Sequence, residues 1–159
     1  MDTPPGPVHP RRPFQPILLL PYAVFVVHTL EELPGFAAWT SSAFGPHSTG
    51  TFVLQHIPLF LFVLLVGIVA GIRQRGAWLV LALACGVQFA LNGIFHLIMW
   101  PISGSYPPGV LTGIGVSLPA GVALFWWARR TGLATPRQLV AAGGIGAVIA
   151  LAAIGTLAL

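Results

Sequence analysis

Residues 52–72 read FVLQHIPLFLFVLLVGIVAGI and contain no charged side chain. An α-helix needs about 20 predominantly apolar residues to cross the hydrocarbon core of a bilayer. Because lipid offers the backbone no hydrogen-bond partners, a helix is the structure expected for such a stretch. This segment therefore predicts one membrane-spanning helix.

Four further stretches are similar to it in length and composition, at residues 17–33, 77–100, 110–128 and 138–159. Hydrophobic residues make up 56% of the 159-residue chain and charged residues only 6%, against roughly a quarter charged in soluble domains. This composition excludes a soluble enzyme and a disordered chain. We predict an all-α, polytopic membrane bundle of about five transmembrane helices over residues 17–159. A disordered, Pro- and Arg-rich cytoplasmic tail is expected over residues 1–16.

The basic residues predict the orientation of the chain. Loops 34–51 and 101–109 carry no Arg, Lys, Asp or Glu, whereas the other breaks between stretches contain every basic residue. By the positive-inside rule, the N-terminus is cytoplasmic and the C-terminus lies outside, as in a multi-pass protein of the cell membrane. The net charge of +4 therefore reflects topology, and we expect no nucleic-acid partner. The seven arginines are Arg11, Arg12, Arg73, Arg75, Arg129, Arg130 and Arg137.

The first apolar stretch contains three polar side chains that membrane helices rarely carry. His28, Glu31 and Glu32 lie at positions i, i+3 and i+4, which share one face of a helix. Carboxylates in hydrocarbon cost several kcal/mol unless they are compensated. We therefore expect these groups to be paired, to bind a metal or to act in catalysis.

Polar residues of the other stretches come to a similar depth on the same predicted outer side. They are His96 and Asn92, one turn apart in the third stretch, His56 in the second and Tyr106 in an outer loop. The sequence predicts that they form one site with the first helix. Trp39 and Trp100 lie on the outer side near predicted span ends, where tryptophan commonly anchors a helix at the membrane interface. The alternative is that they line a hydrophobic substrate pocket.

Histidine and carboxylate ligands suit zinc or non-haem iron. The candidate ligands are His28, Glu31, Glu32, His56 and His96. His28, Glu31 and Glu32 are also the candidate catalytic residues, and one glutamate would transfer protons. Asn92, Tyr106 and Trp100 would contact the substrate or orient the ligands.

Several functions agree with this pattern. The first is a metal-dependent membrane enzyme acting on a lipophilic small molecule or lipid that enters between helices. The second is a metal-free acid–base isomerase or cyclase of a polyprenoid or sterol-like substrate, with a neutral buried carboxylic acid as proton donor. A non-catalytic membrane assembly subunit, a purely structural polar network and proton-coupled transport also agree with the pattern.

Small residues at helical spacing predict close helix packing in the fourth stretch, where they allow bundle packing or a homo-oligomer. They are Gly109, Gly113, Ser117 and Gly121.

The chain resembles the HXXEE-domain family of membrane proteins. The H-x-x-E-E signature is formed by His28, Glu31 and Glu32, and a Y-x-P-G motif covers residues 106–109. The family's further histidine corresponds to His96, with His56 as the alternative. The resemblance extends from Tyr22 to about Ala128. It implies that these residues form one site, and it names no reaction.

Overall fold

The computed structural model describes residues 13–158. It is 83% helical, and the described residues contain no strand. The predicted all-α class is therefore confirmed. Its elements are a short 3-10 helix (Pro16–Leu19) that continues into α1 (Leu20–Glu32), then α2 (Phe36–Ala43), α3 (Thr49–Arg73), α4 (Gly76–Ser103), α5 (Val110–Arg130) and α6 (Pro136–Gly155), and a final 3-10 turn (Thr156–Ala158).

Four helices, α3 to α6, are long and apolar enough to cross a membrane. A fifth span is present if Pro16–Glu32 and Phe36–Ala43 count together, although the two segments are bent by 73°. The prediction of a membrane bundle with about five spans is thus confirmed. Orientation across the membrane stays a prediction.

The bundle has two chemically different ends. All arginines among the described residues lie at the α3–α4 and α5–α6 connections, whereas the α2 region and the α4–α5 connection contain none. We call the latter the arginine-free end. Arg11 and Arg12, like the rest of residues 1–12, lie outside the described part of the chain.

Local sequence explains where the helices begin and end. The Ser48 hydroxyl accepts a hydrogen bond from the backbone N–H of Thr51 at the start of α3. Thr135 and Gln138 form a reciprocal capping box at the start of α6. Gln74 ends α3 in the left-handed conformation, with φ of 53°, and so lets the chain reverse into α4.

The α4 helix lies at the centre of the bundle and packs against α1, α3, α5 and α6. Glycine residues, which have no side chain, allow this close approach. A Cβ atom on Gly113 of α5 would lie 2.7 Å from Cα of Gly93, and one on Gly146 of α6 would lie 2.6 Å from the carbonyl oxygen of Ala84. These small residues therefore bring helix backbones into direct contact, as they do in many membrane bundles.

The α5 helix is irregular in its first half. Its residues Gly113–Ser117 form a π-helical turn, and Pro119 follows two residues later. Proline has no N–H to donate to the preceding turn, and π turns accommodate such breaks.

The sequence prediction placed a loop over residues 34–51 and did not include the α2 helix, which the structure shows within this range. Pro34 and Gly35 end α1 and redirect the chain. The eight residues that follow form a helix because Trp39 and Thr40 are buried against the arginine-free end of the bundle. This end is thus covered by protein.

Residues 13–15 precede the first helical turn and lie against the end of α3. The backbone N–H of Gln15 donates to the carbonyl oxygen of Gly71 at 3.1 Å, and the Gln74 amide donates to the carbonyl oxygen of Pro13 at 2.5 Å. These bonds hold the entry into α1 in place.

Candidate functional site

Three buried side chains converge at the arginine-free end. The Oε1 atom of Glu32 lies 3.3 Å from Nε2 of His28, one turn earlier on α1, and 3.1 Å from Nε2 of His96 on α4. The exposed fractions of His28, Glu32 and His96 are 2%, 4% and 1%. We call these three residues the triad.

The triad has a geometry that suits a metal ion. One donor atom from each of its residues lies within 4.8 Å of the others. Tetrahedral zinc, at about 2.1 Å from each ligand, holds neighbouring ligand atoms about 3.4 Å apart. The separations of the two histidine Nε2 atoms from Oε1 of Glu32, 3.3 and 3.1 Å, are close to this value.

Aromatic rings surround His96 and shield the triad from water. Ring centroids of Phe36 and Trp39, both on α2, lie 6.0 and 6.1 Å from that of His96. Phe95 packs edge-on at 5.5 Å. The Nδ1 atom of His96 has no hydrogen-bond partner among the described residues. Such apolar surroundings strengthen electrostatic interactions within the triad.

The other ring nitrogen of His28 is fixed from α5. Its Nδ1 lies 2.9 Å from Oγ1 of Thr112, and that hydroxyl lies 2.5 Å from Oε2 of Glu31. A hydroxyl has one proton to give, and the carboxylate is its strongest acceptor. The Thr112 oxygen then accepts from His28 Nδ1–H, so that the lone pair of a neutral His28 lies on Nε2, which is 2.8 Å from the Asn92 amide and 3.3 Å from Oε1 of Glu32.

Glu31 faces away from the triad and binds the beginning of α5. Its carboxylate accepts the backbone N–H groups of Leu111 and Thr112 at 3.2 and 2.7 Å, together with the hydroxyls of Thr112 and Tyr106. A carboxylate is favoured here by the positive end of the helix dipole. Partial burial and the bond to Glu31 raise the pKa of the Tyr106 phenol to about 12. Tyr106 therefore stays protonated at neutral pH and donates its hydroxyl hydrogen bond to Glu31.

Gly109, the last residue of the Y-x-P-G motif, lies directly against the triad. It has φ of 100°, and a Cβ atom here would lie 2.8 Å from Cε1 of His28 and 3.0 Å from Cε1 of His96. The position requires glycine both for its backbone conformation and for space. The motif thus brings the α4–α5 connection onto the triad.

The remaining predicted site residues occupy different places. Asn92 lies one turn from His96, and its side-chain amide is 2.8 Å from Nε2 of His28. His56 lies apart from the triad: its Nδ1 bonds to the carbonyl oxygen of Phe52 at 2.7 Å. Trp100 packs edge-on against Tyr106 with centroids 5.6 Å apart. The structure thus joins Asn92 to the triad and Tyr106 to Glu31.

Sequence reasoning placed Trp39 on the outer side but did not identify Thr112 or Phe36 as parts of this region. Thr112 follows Gly109 by three residues, in the first turn of α5. The sequence does contain one indication of its role: Thr112 is a polar residue in the first turn of a membrane helix that begins directly after the motif glycine. Nothing in the sequence of α2 indicated which helix it would cover.

An apolar cavity of about 270 Å³ extends from the triad into the bundle. Its lining includes His28, Glu32, Asn92 and His56, and it continues to Ser48 at the arginine-free end. The triad can therefore meet a small molecule held within the protein.

One comparison with known proteins gave a match. A sequence model described as "Protein of unknown function with HXXEE motif" matches residues 19–124. No curated protein and no solved structure shows significant similarity to the chain. The matched region contains the H-x-x-E-E motif at His28, Glu31 and Glu32, and it covers about two thirds of the chain. The chain therefore belongs to the HXXEE family.

Proposed function

We propose that the protein is an integral membrane enzyme whose metal centre is formed by His28, Glu32 and His96. The observation that carries the proposal is the convergence of two imidazole nitrogens on one buried carboxylate oxygen. Two histidines and a carboxylate are a ligand set used by zinc and by non-haem iron.

The buried carboxylate of Glu32 favours a cation at this point. If Thr112 fixes the Nδ1–H form of His28, the Nε2 lone pair of the neutral ring accepts the Asn92 amide at 2.8 Å and lies 3.3 Å from Oε1 of Glu32. Oε1 of Glu32 can receive the N–H of His96 at 3.1 Å, but the charge of a buried carboxylate is costly unless it is compensated. A divalent ion that replaced the Asn92 bond would be held by Glu32, His28 and His96 together and would compensate that charge.

The two glutamates then have different roles. Glu32 is the metal ligand, and Glu31 holds Thr112, which orients His28. Bonds to the outer nitrogen of a ligating histidine commonly set its tautomer and its metal affinity. A bound metal would polarise a substrate oxygen or activate a water molecule in the cavity.

The substrate is a lipophilic small molecule. The cavity beside the triad is lined mostly by apolar side chains, and pockets of this kind bind ligands of matching polarity. Hydrolysis, isomerisation and oxidation are the reaction classes compatible with the ligand set.

Metal analysis of purified protein tests the proposal. The wild-type protein, loaded with zinc or iron(II) and freed of excess metal, is expected to hold one ion per chain. His28→Ala, Glu32→Gln and His96→Ala should lose it. His56→Ala is the matched control, because it removes a cavity histidine outside the triad and should keep the ion.

A wild-type protein that binds no metal after loading would overturn the metal centre. Activity that survives without metal and depends on Glu32 would instead support the acid–base isomerase or cyclase.

A further inference from the structure

The cavity beside the triad is elongated. Along α4 its lining runs from Phe95 to Cys85, which is about 15 Å at 1.5 Å per residue. The part between Asn92 and Cys85 lies deeper than the triad and is lined by Phe25, Val63 and Phe89, which are all buried. A ligand that occupies this inner part therefore has a polar end at the triad and an extended apolar part.

The cavity lies between α3 and α6, which both pack on α4 and have almost no contact with each other. Its rim includes Leu59 and Phe62 of α3 and Ile149 of α6, whose exposed fractions are 48%, 45% and 38%. These residues belong to the membrane-spanning part of their helices. The gap between α3 and α6 therefore opens toward the lipid.

The lining contains no arginine, and the chain has no lysine. An anionic head group inside the cavity would meet no side-chain cation apart from histidine. The one unit of positive charge left by a divalent ion bound to Glu32 would not neutralise a phosphate monoester, which carries about −1.5 to −2 at pH 7. Uncompensated buried charge is strongly unfavourable.

Uncharged polar groups line the wall next to the triad. Gln88 and Asn92 lie one turn apart on α4, and both face the cavity, as does Gln55 of α3. Side-chain amides offer donors and acceptors without net charge. They match a hydroxyl or carbonyl oxygen.

From these observations we propose that the substrate is an uncharged, single-chain lipophile with a terminal hydroxyl or carbonyl oxygen, which enters from the membrane between α3 and α6. The oxygen lies beside Asn92 and the triad, and the chain occupies the cavity toward Cys85. This proposal rests on the proposed metal enzyme, whose substrate it defines.

Photolabelling in lipid nanodiscs tests the proposal. The probe is a long-chain primary alcohol with a diazirine in its chain and a terminal alkyne, and the matched probe is the phosphate monoester of the same alcohol. The alcohol should label cavity residues of α3, α4 and α6, and excess unlabelled alcohol should compete. The phosphate monoester should label them far less.

Two variants locate the binding site. Leu59→Trp narrows the rim and should lower alcohol labelling about tenfold, whereas Leu61→Trp, on the same helix and outside the lining, should leave it unchanged. Gln88→Leu should lower it about fivefold. Equal labelling by the two probes, or labelling insensitive to Leu59→Trp, would overturn the proposal.

Metal content of the same samples separates the two possible failures. Specific alcohol labelling of a protein that cannot bind metal would overturn the metal centre and keep the ligand class. Metal binding without specific alcohol labelling would overturn the ligand class and keep the metal centre.

Discussion

Gly109 lies so close to His28 that a Cβ atom on this glycine would come within 2.8 Å of the imidazole Cε1. The same atom would also meet Glu32 and His96 at 3.0 Å. One backbone position therefore contacts all three residues of the triad. The Y-x-P-G motif and the H-x-x-E-E motif are thus joined at a single point.

Replacement of Gly109 by alanine should displace the triad. The substitution adds a clash to the cost of a positive φ, which is about 1 kcal/mol or more for a residue with a side chain. We expect Gly109→Ala to lose the bound metal and to unfold at lower temperature. Metal analysis and thermal unfolding in detergent measure both effects.

Gly104→Ala is the matched control for that substitution. Gly104 has φ of 65°, and nothing lies within 4 Å of its Cβ position. Gly104→Ala should lower the unfolding temperature because of its positive φ, and it should still bind the metal. If both variants bind metal like the wild type, the contact between Gly109 and the triad does not matter for binding.

Thr112→Val should weaken metal binding without removing any ligand. Valine has nearly the same shape but cannot link Glu31 to Nδ1 of His28. Loss of such an orienting bond typically costs about 10–100-fold in metal affinity. Competition with a chelator gives the dissociation constant, and Thr112→Ser should remain near the wild-type value. Equal affinities for valine and serine would contradict the proposed link.

Glu31→Gln should separate stability from metal binding. The neutral amide keeps the shape of Glu31 but weakens its bonds to Leu111 and Thr112 at the start of α5. Bonds to a charged group contribute about 1.5–3 kcal/mol each. We expect a lower unfolding temperature, measured in detergent, with one metal still bound per chain. Complete loss of metal in Glu31→Gln, with metal still bound in Thr112→Val, would show that Glu31, too, is a ligand.

Gly113→Ala should loosen the packing of α5 on α4. Its Cβ would lie 2.7 Å from Cα of Gly93, whereas Gly115, two residues later, has open space at that position. Overpacking of this kind costs about 1–3 kcal/mol. The unfolding temperature should therefore fall clearly for Gly113→Ala and change little for Gly115→Ala. Similar unfolding temperatures for the two variants would mean that the close contact between α4 and α5 does not contribute to stability.

Cysteine labelling in intact cells tests the predicted orientation. Ser42→Cys, in a Cys85→Ala background, places an exposed thiol at the arginine-free end. By the positive-inside rule it should react with an impermeant reagent. Thr131→Cys, exposed in the α5–α6 connection, should react only after the cells are permeabilised. The reverse pattern would invert the topology.

The sequence by itself determined the fold class and most of the helix limits. Each membrane span is a local property, because lipid requires about 20 apolar residues in one continuous helix. The proximity of His28 and Glu32 is local as well, since residues four apart lie one turn apart on the same face. The arginine positions likewise predict an orientation without any knowledge of packing.

Only the tertiary structure decided which glutamate joins the two histidines. Glu31 and Glu32 are neighbours, so their side chains leave the helix about 100° apart, and the rotation of α1 against α4 and α5 sets their partners. That rotation depends on contacts between distant residues, such as Gly93 with Gly113. For the same reason, Thr112, Gly109 and the α2 aromatic residues reached the triad only through packing, which no local pattern in the sequence specifies.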